Sequence, residues 1–394
     1  MTPTSQAISI VHATRVWLPL TMTWLYNQLR HLPDHIANHV VCERVENRDA
    51  FFFDAITTCP SGLSRWSQRL LRIFGFQSFH PLLNRAIAQY RPRVVHSHFG
   101  HVGWENTKIA HNRDLAHVVT FYGLDMNMLP VIQPKWKQRY RYMFQVVDQV
   151  ICEGRHMAAN LVALGCPEHK IRVIPIGIDL ERISFSPRTL EPGSKPRFLI
   201  VGAFREKKGI PDAIGALGRL KQRGLEFELT VIGDATTENR DILEKRRIQV
   251  AVDRWKLSGQ VRFLGFQPYE RILQEFYRHH IFLSPSRTAA NGDTEGGAPV
   301  TIIEAAASGM PVISTTHCDI PNVLGKSNRQ RLVREGDEGA LAHAIDQLTA
   351  SGRDRLVREN RTFIEKQHDI RRSAQAIAQV YADVLNSSGH NPSI

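Results

Sequence analysis

Two points in this 394-residue chain restart the same local pattern, and no other feature narrows its fold as far. Ala7-Ile-Ser-Ile-Val-His12 is a buried-strand run that feeds a loop and then a helix over residues 21–32. Arg197-Phe-Leu-Ile-Val-Gly202 repeats it, followed by a basic loop and an amphipathic helix to about residue 224. Short strands buried on both faces, alternating with helices, belong to doubly wound parallel sheets. The spacing predicts an α/β chain of two such domains, 1–183 and 197–368, with a tail over 369–394. Residues 184–196 are rich in proline, glycine and serine and have no apolar period, so they read as a linker.

Within the first domain, strand-like runs recur at 37–42, 51–57, 94–98, 117–120 and 149–152. In the second they recur at 227–233, 261–266, 281–283 and 312–315, separated by helical stretches at 239–255 and 269–277. Three more helices are expected near 337–348, 353–367 and 370–385.

Apolar residues make up 42% of the chain, enough for a large core. Cys42, Cys59, Cys152, Cys166 and Cys318 show no Cys-x-x-Cys pair and no metal-ligand spacing, as expected of structural thiols in a reducing compartment. The first residues lack the pattern of a signal peptide, and no apolar window approaches the roughly 18 residues of a membrane span. A cytoplasmic protein is expected. Net charge is +12, and residues 1–190 hold 21 Lys+Arg against 13 Asp+Glu, so +8 lies there. An anionic partner is implied for that half, and nucleic acid, a phospholipid surface or a diphosphate-linked substrate would each satisfy it.

The richest stretch is Gly292-Asp-Thr-Glu295-Gly-Gly-Ala-Pro299-Val-Thr-Ile-Ile-Glu304, which runs on to Gly309-Met-Pro311-Val-Ile. Pro299 suits a helix start, and Gly309 with Pro311 stops that helix. A helix N-terminus opened by Gly296 and Gly297 is an anion site of the kind that binds a diphosphate. Glu295 before the helix and Glu304 inside it are placed to accept hydrogen bonds from sugar hydroxyls. The bland reading, a capping Glu295 and a solvated Glu304, fits each residue taken alone.

In the first domain, Leu63, Trp66, Leu70, Leu71 and Phe74 fall on one helical face bordered by Arg65, Arg69 and Arg72. Residues 63–76 therefore read either as a core-packed helix with a basic edge or as a helix docking on an anionic membrane. Val94-Val-His96-Ser-His98-Phe-Gly100 and His117-Val-Val-Thr120-Phe-Tyr122-Gly-Leu-Asp125 bring polar side chains to strand ends, where open sheets bind ligands. His98 and Asp125 are candidates for contacting an acceptor, with a structural strand-end role as the alternative. The run Lys135-Trp-Lys137-Gln-Arg139-Tyr-Arg141-Tyr reads as an exposed helix face, since it lies between two α/β elements.

Taken together these motifs resemble the retaining glycosyltransferases of the GT-B fold, family 4, in the exopolysaccharide or colanic-acid branch. The family's Glu-x7-Glu appears here with Glu295 and Glu304 nine positions apart, one residue longer than the family spacing. His96-Ser-His98-Phe and Thr120-Phe-Tyr122-Gly-Leu-Asp125 resemble His-x-His-Phe and Thr-Phe-His-Gly-x-Asp, with Tyr122 in place of a histidine. Val173-Ile-Pro175-Ile-Gly-Ile-Asp179 is similar to the family's exit from its first domain. Gly202-Ala-Phe-Arg205-Glu-Lys-Lys208-Gly matches Gly-Arg-x-x-x-Lys-Lys-Gly at Lys208, but Ala203 stands where the family has arginine. Arg205 either replaces that arginine or faces solvent.

The resemblance implies two facing Rossmann-like domains with a C-terminal crossover helix. It implies transfer of a hexose-type sugar, with retention, from a nucleotide-diphosphate donor, UDP-sugar favoured, to a glycan or lipid-linked acceptor of a cell-surface polysaccharide. Lys208, Glu295 and Arg205 are the implied catalytic groups. Glu304, Gly296, Gly297, Ala298, Pro299, Val300, Thr301, Gly202, Gly265, Phe266 and Tyr122 are the implied donor contacts, and His98 and Asp125 the acceptor contacts. No Asp-x-Asp is present, and fixed positive charge is expected to do a metal's work, so no metal, no cofactor beyond the donor and no nucleic acid are expected. The expected location is the cytoplasm, with peripheral membrane contact through 63–76. The rival readings are a nucleotide-sugar epimerase of the same fold and a basic membrane- or nucleic-acid-binding protein with a decayed pocket.

Overall fold

A computed structural model of the chain describes residues 7–19, 22–48, 51–59, 80–191, 193–350 and 352–387. The chain divides into two compact units, one running to Gly177 and rejoined at Ile370, the other spanning Ile178–Asp369.

The first unit is built on seven parallel strands: β1 (Ile8–Trp17), β2 (Ile36–Val45), β3 (Ile56–Thr58), β4 (Val94–His98), β5 (Ala116–Thr120), β6 (Gln149–Cys152) and β7 (Ile171–Val173). Their order is β3-β2-β1-β4-β5-β6-β7. Alternate side chains serve opposite faces, so Ile10, Val94, Ala116 and Val118 join one core while Val11, Ala13, Val41 and Val95 join another. That is why the apolar residues of these strands fall at consecutive rather than strictly alternate positions. The helix Ile370–Ser387 closes the first of these cores with Ala374, Ile377, Tyr381 and Val384. Each buried aliphatic side chain of this kind contributes about 1.5–3 kcal/mol relative to exposure.

The second unit has five parallel strands, β8 (Arg197–Val201), β9 (Glu228–Ile232), β10 (Val261–Phe263), β11 (Ile281–Ser284) and β12 (Val312–Ser314), in the order β10-β9-β8-β11-β12. Helices Ile210–Gln222, Asn239–Arg254 and Glu338–Ala350 supply one core, and Tyr269–Arg278, Val300–Ala307 and Arg353–Gln367 line the other. In both sheets the strand order reverses beside the first strand. The crevices at the C-terminal ends of the β1/β4 and β8/β11 pairs are the places where a doubly wound sheet binds ligand.

Several elements differ from expectation. The boundary falls at 177/178 rather than 183, because Ile178 N–H bonds to His368 O at 2.8 Å and ties the exit strand to the second unit. Residues 184–196 are not a free linker. Ser186 N–H donates to Ser308 O at 2.9 Å, and the Arg188 guanidinium donates to Phe276 O at 2.6 Å and to Ser308 Oγ at 2.9 Å. The strand expected over 51–57 shrinks to Ile56–Thr58, since Phe51 and Phe53 turn to pack on Tyr26 and Trp17. The helix Lys135–Val146 is not merely an exposed face, because it buries Trp136, Tyr140, Met143 and Phe144. The basic helix expected at 63–76 lies outside the described residues. None of the five cysteines forms a disulfide, and all but Cys318 are buried.

Candidate active site

In the second unit the site grows from the turn after β8. Gly202 ends the strand's run and carries no side chain, and a Cβ there would crowd Lys208 Cδ at 3.3 Å, so the lysine stem lies across the glycine. A single 3-10 turn, Glu206–Lys208, follows, and Gly209 at φ +61° then turns the chain into the helix Ile210–Gln222. Any side chain at Gly209 would place its Cβ 2.0 Å from Pro285 O, so this backbone crossing requires glycine.

The loop after β11 meets this turn. Lys208 Nζ lies 3.0 Å from both Glu295 carboxylate oxygens, and Ser286 Oγ–H donates to Glu295 Oε1 at 2.9 Å. Lys207 Nζ donates to Asp293 Oδ1 at 3.1 Å and to Thr294 O at 2.8 Å, and stands 4.0 Å from Glu295. Glu295 N–H donates to His317 Nε2 at 3.1 Å, which makes His317 Nδ1 the protonated nitrogen that donates to Glu335 Oε1 at 2.6 Å. The Glu295 side chain is only 5% exposed. Burial pushes its carboxyl up, but Lys208, Lys207 and the Ser286 hydroxyl together hold it below its ordinary value. It is therefore an ionised carboxylate inside a cationic clamp.

The extra residue between Glu295 and Glu304 is taken up at Gly296, which has φ +77° and donates its N–H to Thr294 Oγ1 at 3.1 Å. Gly297 O accepts from Asp319 N–H at 3.1 Å. Helix Val300–Ala307 starts with Pro299 as its N-cap rather than its first residue. The N–H groups of Val300 and Thr301 head that helix, where no intrahelical acceptor exists for them. Glu304, on its inner side, is buried and accepts from Tyr269 Oη–H at 2.8 Å. Burial raises its carboxyl to about 7 despite Tyr269 and the Arg182 charge. Gly265 O accepts from Gly233 N–H at 2.8 Å, and the half-exposed Phe266 follows it, leading to Tyr269 at the start of its helix.

Arg205 does not join this group. Its guanidinium stands 3.7 Å from Asp241 and 3.9 Å from Glu238, because the fully buried Asp241 carboxylate draws the nearest cation. Lys207, not Arg205, is the second cation on Glu295.

The first-unit candidates are placed differently from the expected roles. Asp125 is fully buried and spends its carboxylate on backbone, accepting from Gly100 N–H at 2.5 Å and Tyr122 N–H at 3.1 Å. It anchors the start of helix Gly100–Asn112, where Phe99 takes the left-handed φ of +78°. His98 is also fully buried, and both of its ring nitrogens are bonded. Asn38 fixes their protonation: its Nδ2–H donates to Leu29 O, so Oδ1 accepts from His12 Nε2–H at 3.0 Å. His12 Nδ1 then accepts from His98 Nε2–H at 3.1 Å, and His98 Nδ1 accepts from Tyr122 Oη–H at 2.7 Å. Tyr122 is thus a donor toward the interior, committed to His98.

His96 completes the cluster, with Tyr381 Oη 2.7 Å from Nδ1 and Thr120 Oγ1 2.7 Å from Nε2. Burial holds His12 down at about 4 and His96 and His98 well below the ordinary imidazole value, so all three are neutral. One nitrogen from each ring lies within 4.8 Å of the others, a spacing that would admit a metal ion. The hydrogen bonds nevertheless use all six ring nitrogens, and the cluster satisfies itself. His98 and Asp125 are therefore structural, not acceptor contacts. Asp125→Ala should cost about 2 kcal/mol of stability, the loss of a helix anchor with two buried donors stranded, measurable as a lowered midpoint in urea.

With this geometry in hand, comparison with known families is decisive. Residues 181–375 match the family described as glycosyl transferases group 1, and residues 23–182 match glycosyltransferase family 4. The chain belongs to the family 4 glycosyltransferases. The transferase is 33% identical to the amylovoran biosynthesis glycosyltransferase AmsK of Erwinia amylovora, over 71% of this chain and 68% of that one. It is 30% identical to WcaL of Escherichia coli K12, whose name assigns it to colanic acid biosynthesis, over 82% of this chain and 78% of that one. These relatives place the transferase in the exopolysaccharide branch. Among solved structures it is similar to sucrose-phosphate synthase from Thermosynechococcus elongatus (TM-score 0.76, 17% identity, covering 96% and 100% of the two chains). It is also similar to Anabaena HepE in complex with UDP and glucose (TM-score 0.74, 15% identity, covering 95% and 100%). At such identities the likeness concerns the fold, which is GT-B.

Sequence reading missed Lys207, Ser286, Asp293, His317 and Tyr269 as parts of the transferase's second-unit site. Lys207 was visible as the neighbour of Lys208, and Asp293 as part of the Gly-Asp-Thr-Glu loop. Tyr269 and His317 carry no local signature, because each matters only through the partner the fold brings to it.

Proposed function

We propose that the transferase moves a hexose-type sugar from a nucleotide-diphosphate donor, UDP-sugar favoured, to a glycan or lipid-linked acceptor, with retention at the anomeric carbon and without a metal ion. The observation that carries this reading is the pairing of Lys208 and Lys207 with the buried Glu295 at the β8/β11 reversal, in the loop that runs into the free N–H groups of helix Val300–Ala307. HepE, which shares the fold, has been solved with UDP and with UDP-glucose, which favours the uridine donor.

The chemical task is to stabilise a departing diphosphate while positive charge builds on the sugar. Lys208 presents an ammonium whose third N–H is not needed by the two Glu295 oxygens. It is directed, with the helix-head amides, at developing phosphate charge. Such fixed charge does the work that a divalent cation does elsewhere. Glu295, held ionised, accepts hydrogen bonds from sugar hydroxyls. Glu304 and Tyr269 form the ribose end. The proton of the attacking acceptor hydroxyl passes to the leaving phosphate oxygen on the same face, so no side-chain base is assigned. The reaction takes place in the cytoplasm, with the acceptor at the inner face of the membrane. No observation favours the epimerase or the decayed-binder reading.

Hydrolysis of a panel of UDP-, GDP- and ADP-sugars, with the product anomer followed by NMR, tests this. Turnover of a UDP-sugar with the anomeric configuration kept is expected, and an inverted product or exclusive use of GDP- or ADP-sugars would overturn it. The raised Glu304 carboxyl adds a pH signature. Because its folded value lies above the ordinary one, its contribution to stability is present at low pH and is lost as pH rises through about 7. Ionised Glu304 accepts ribose hydroxyls better than the neutral acid does. Donor KM should therefore fall several-fold between about pH 6 and pH 8, and Glu304→Gln should flatten that dependence while raising KM.

A further inference from the structure

Glu295 and Glu304 stand nine positions apart, one more than the family spacing, and the extra residue falls in the pair Gly296-Gly297. Two successive glycines give the backbone wide freedom. A loop of this composition needs fastening from outside if the Glu295 carboxylate is to stay on Lys208. That fastening comes from the turn after β12, where three consecutive residues approach the loop. His317 Nε2 accepts from Glu295 N–H at 3.1 Å, and Asp319 N–H donates to Gly297 O at 3.1 Å. Cys318 between them takes a left-handed φ of +46°, unusual for a residue with a Cβ, and its Sγ lies 3.2 Å from the same imidazole nitrogen.

The far side of the imidazole prepares it for this bond. His317 is buried, and its Nδ1–H donates to Glu335 Oε1 at 2.6 Å. Glu335 Oε2 accepts from Thr288 N–H at 2.7 Å. Burial pushes the Glu335 carboxyl up, but the Thr288 amide and His317 hold it below its ordinary value, so it is a carboxylate. A carboxylate on Nδ1–H keeps the proton there and leaves the lone pair on Nε2, the form that accepts the Glu295 amide. Thr288 and Glu295 belong to one loop, the one after β11. Glu335 and His317 therefore bridge it, from Thr288 N–H at one end to Glu295 N–H at the other.

We infer that His317 is a positioning residue of the transfer reaction: it holds the Glu295 backbone in place across the lengthened loop, so that the carboxylate meets the donor sugar. The assignment rests on the proposed role of Glu295 toward sugar hydroxyls, whereas the fastening itself does not.

Glutamine and asparagine separate the two bonds of the imidazole. In His317→Gln the side-chain oxygen reaches the place of Nε2 and still accepts from Glu295 N–H. In His317→Asn the amide takes the place of Nδ1 and reaches Glu335 alone. Glu335→Ala, at a side chain 35% exposed, supplies a variant outside the core. Amide hydrogen exchange at Glu295, calorimetric UDP affinity and turnover of a UDP-sugar are to be measured on all three in the full chain. His317→Asn should speed exchange at Glu295 about tenfold and lower kcat about tenfold to a hundredfold, while UDP, which carries no sugar, binds at least as tightly as to wild type. His317→Gln should keep the protection of Glu295 and hold kcat within about threefold. Glu335→Ala should move exchange and kcat in the direction of His317→Asn by several-fold. Equal loss of kcat in the Gln and Asn variants, or faster exchange at Glu295 with unchanged kcat, would overturn the assignment, and so would wild-type exchange in both His317→Asn and Glu335→Ala. Wild-type protein that turns over no UDP-sugar counts against the proposed function instead, and exchange at Glu295 then decides whether the fastening exists.

Discussion

Lys208→Ala lowers turnover at saturating donor by about 10²–10³-fold, the loss expected when a preorganised charge is removed from a leaving group. The effect should appear in kcat more than in donor KM, because the charge on the phosphate is greatest as the glycosidic bond breaks. The lysine is 20% exposed and its stem rests on Gly202 rather than in a core, but its loss also takes one of the two charges from Glu295, so the fold of the variant is measured directly. Far-ultraviolet circular dichroism and the urea midpoint identify a folded variant, and single-turnover kinetics locate the defect. Unchanged turnover in such a folded variant would remove Lys208 from the chemistry. Lys208→Arg is a useful companion. It keeps the charge but cannot fit the same stem across Gly202 and the same ammonium between both Glu295 oxygens, so partial activity is expected.

The architecture was legible wherever burial on two faces left a plain mark. The starts of β1 and β8 and the strand β11 are mostly apolar because helices cover both sides of each sheet, and their sequences say so, whereas β4 and β5 add buried histidines to their valines. The helix Val300–Ala307 was legible from Pro299, Gly309 and the glycines before it, since those residues answer to backbone geometry. What sequence could not supply was partnership across long separations. Lys208 and Glu295 lie 87 positions apart, and their 3.0 Å pairing depends on Gly209 passing under Pro285. His98 and Asp125 sit at strand ends, where ligands bind, yet the first bonds to His12 and Tyr122 and the second to the backbone of Gly100. Position alone does not distinguish a ligand contact from an anchor. The misread linker has a similar cause: its proline- and serine-rich composition was true, but one residue, Arg188, pins it to the second unit. Arg205 was assigned by proximity to Ala203, and a buried acid from another helix, Asp241, claimed it.

Glu295→Gln separates the two roles this carboxylate can play, and its expected effects run in opposite directions. As a counter-ion, Glu295 offsets two ammoniums that are 12% and 20% exposed. Neutralising it should cost about 2–4 kcal/mol of stability, somewhat below a fully buried pair because water reaches both lysines. The same stability is lost in acid: the carboxyl is held below its ordinary value, so its contribution is present above that value and disappears as pH falls through the lower folded one. Free of Glu295, Lys207 and Lys208 attract phosphate more strongly, so UDP, which carries no sugar, should bind several-fold more tightly to the variant. A sugar donor should nevertheless turn over about 10²-fold more slowly, because the hydroxyl acceptor is gone. Tighter UDP with slower turnover is a pattern that a purely structural ion pair cannot produce. The double variant Lys208→Met with Glu295→Gln should recover part of the lost stability, with a coupling of about 1–3 kcal/mol, while remaining inactive. Calorimetric UDP affinity, donor kinetics and urea midpoints on the three variants decide the matter, and full turnover in Glu295→Gln would leave the residue a counter-ion alone.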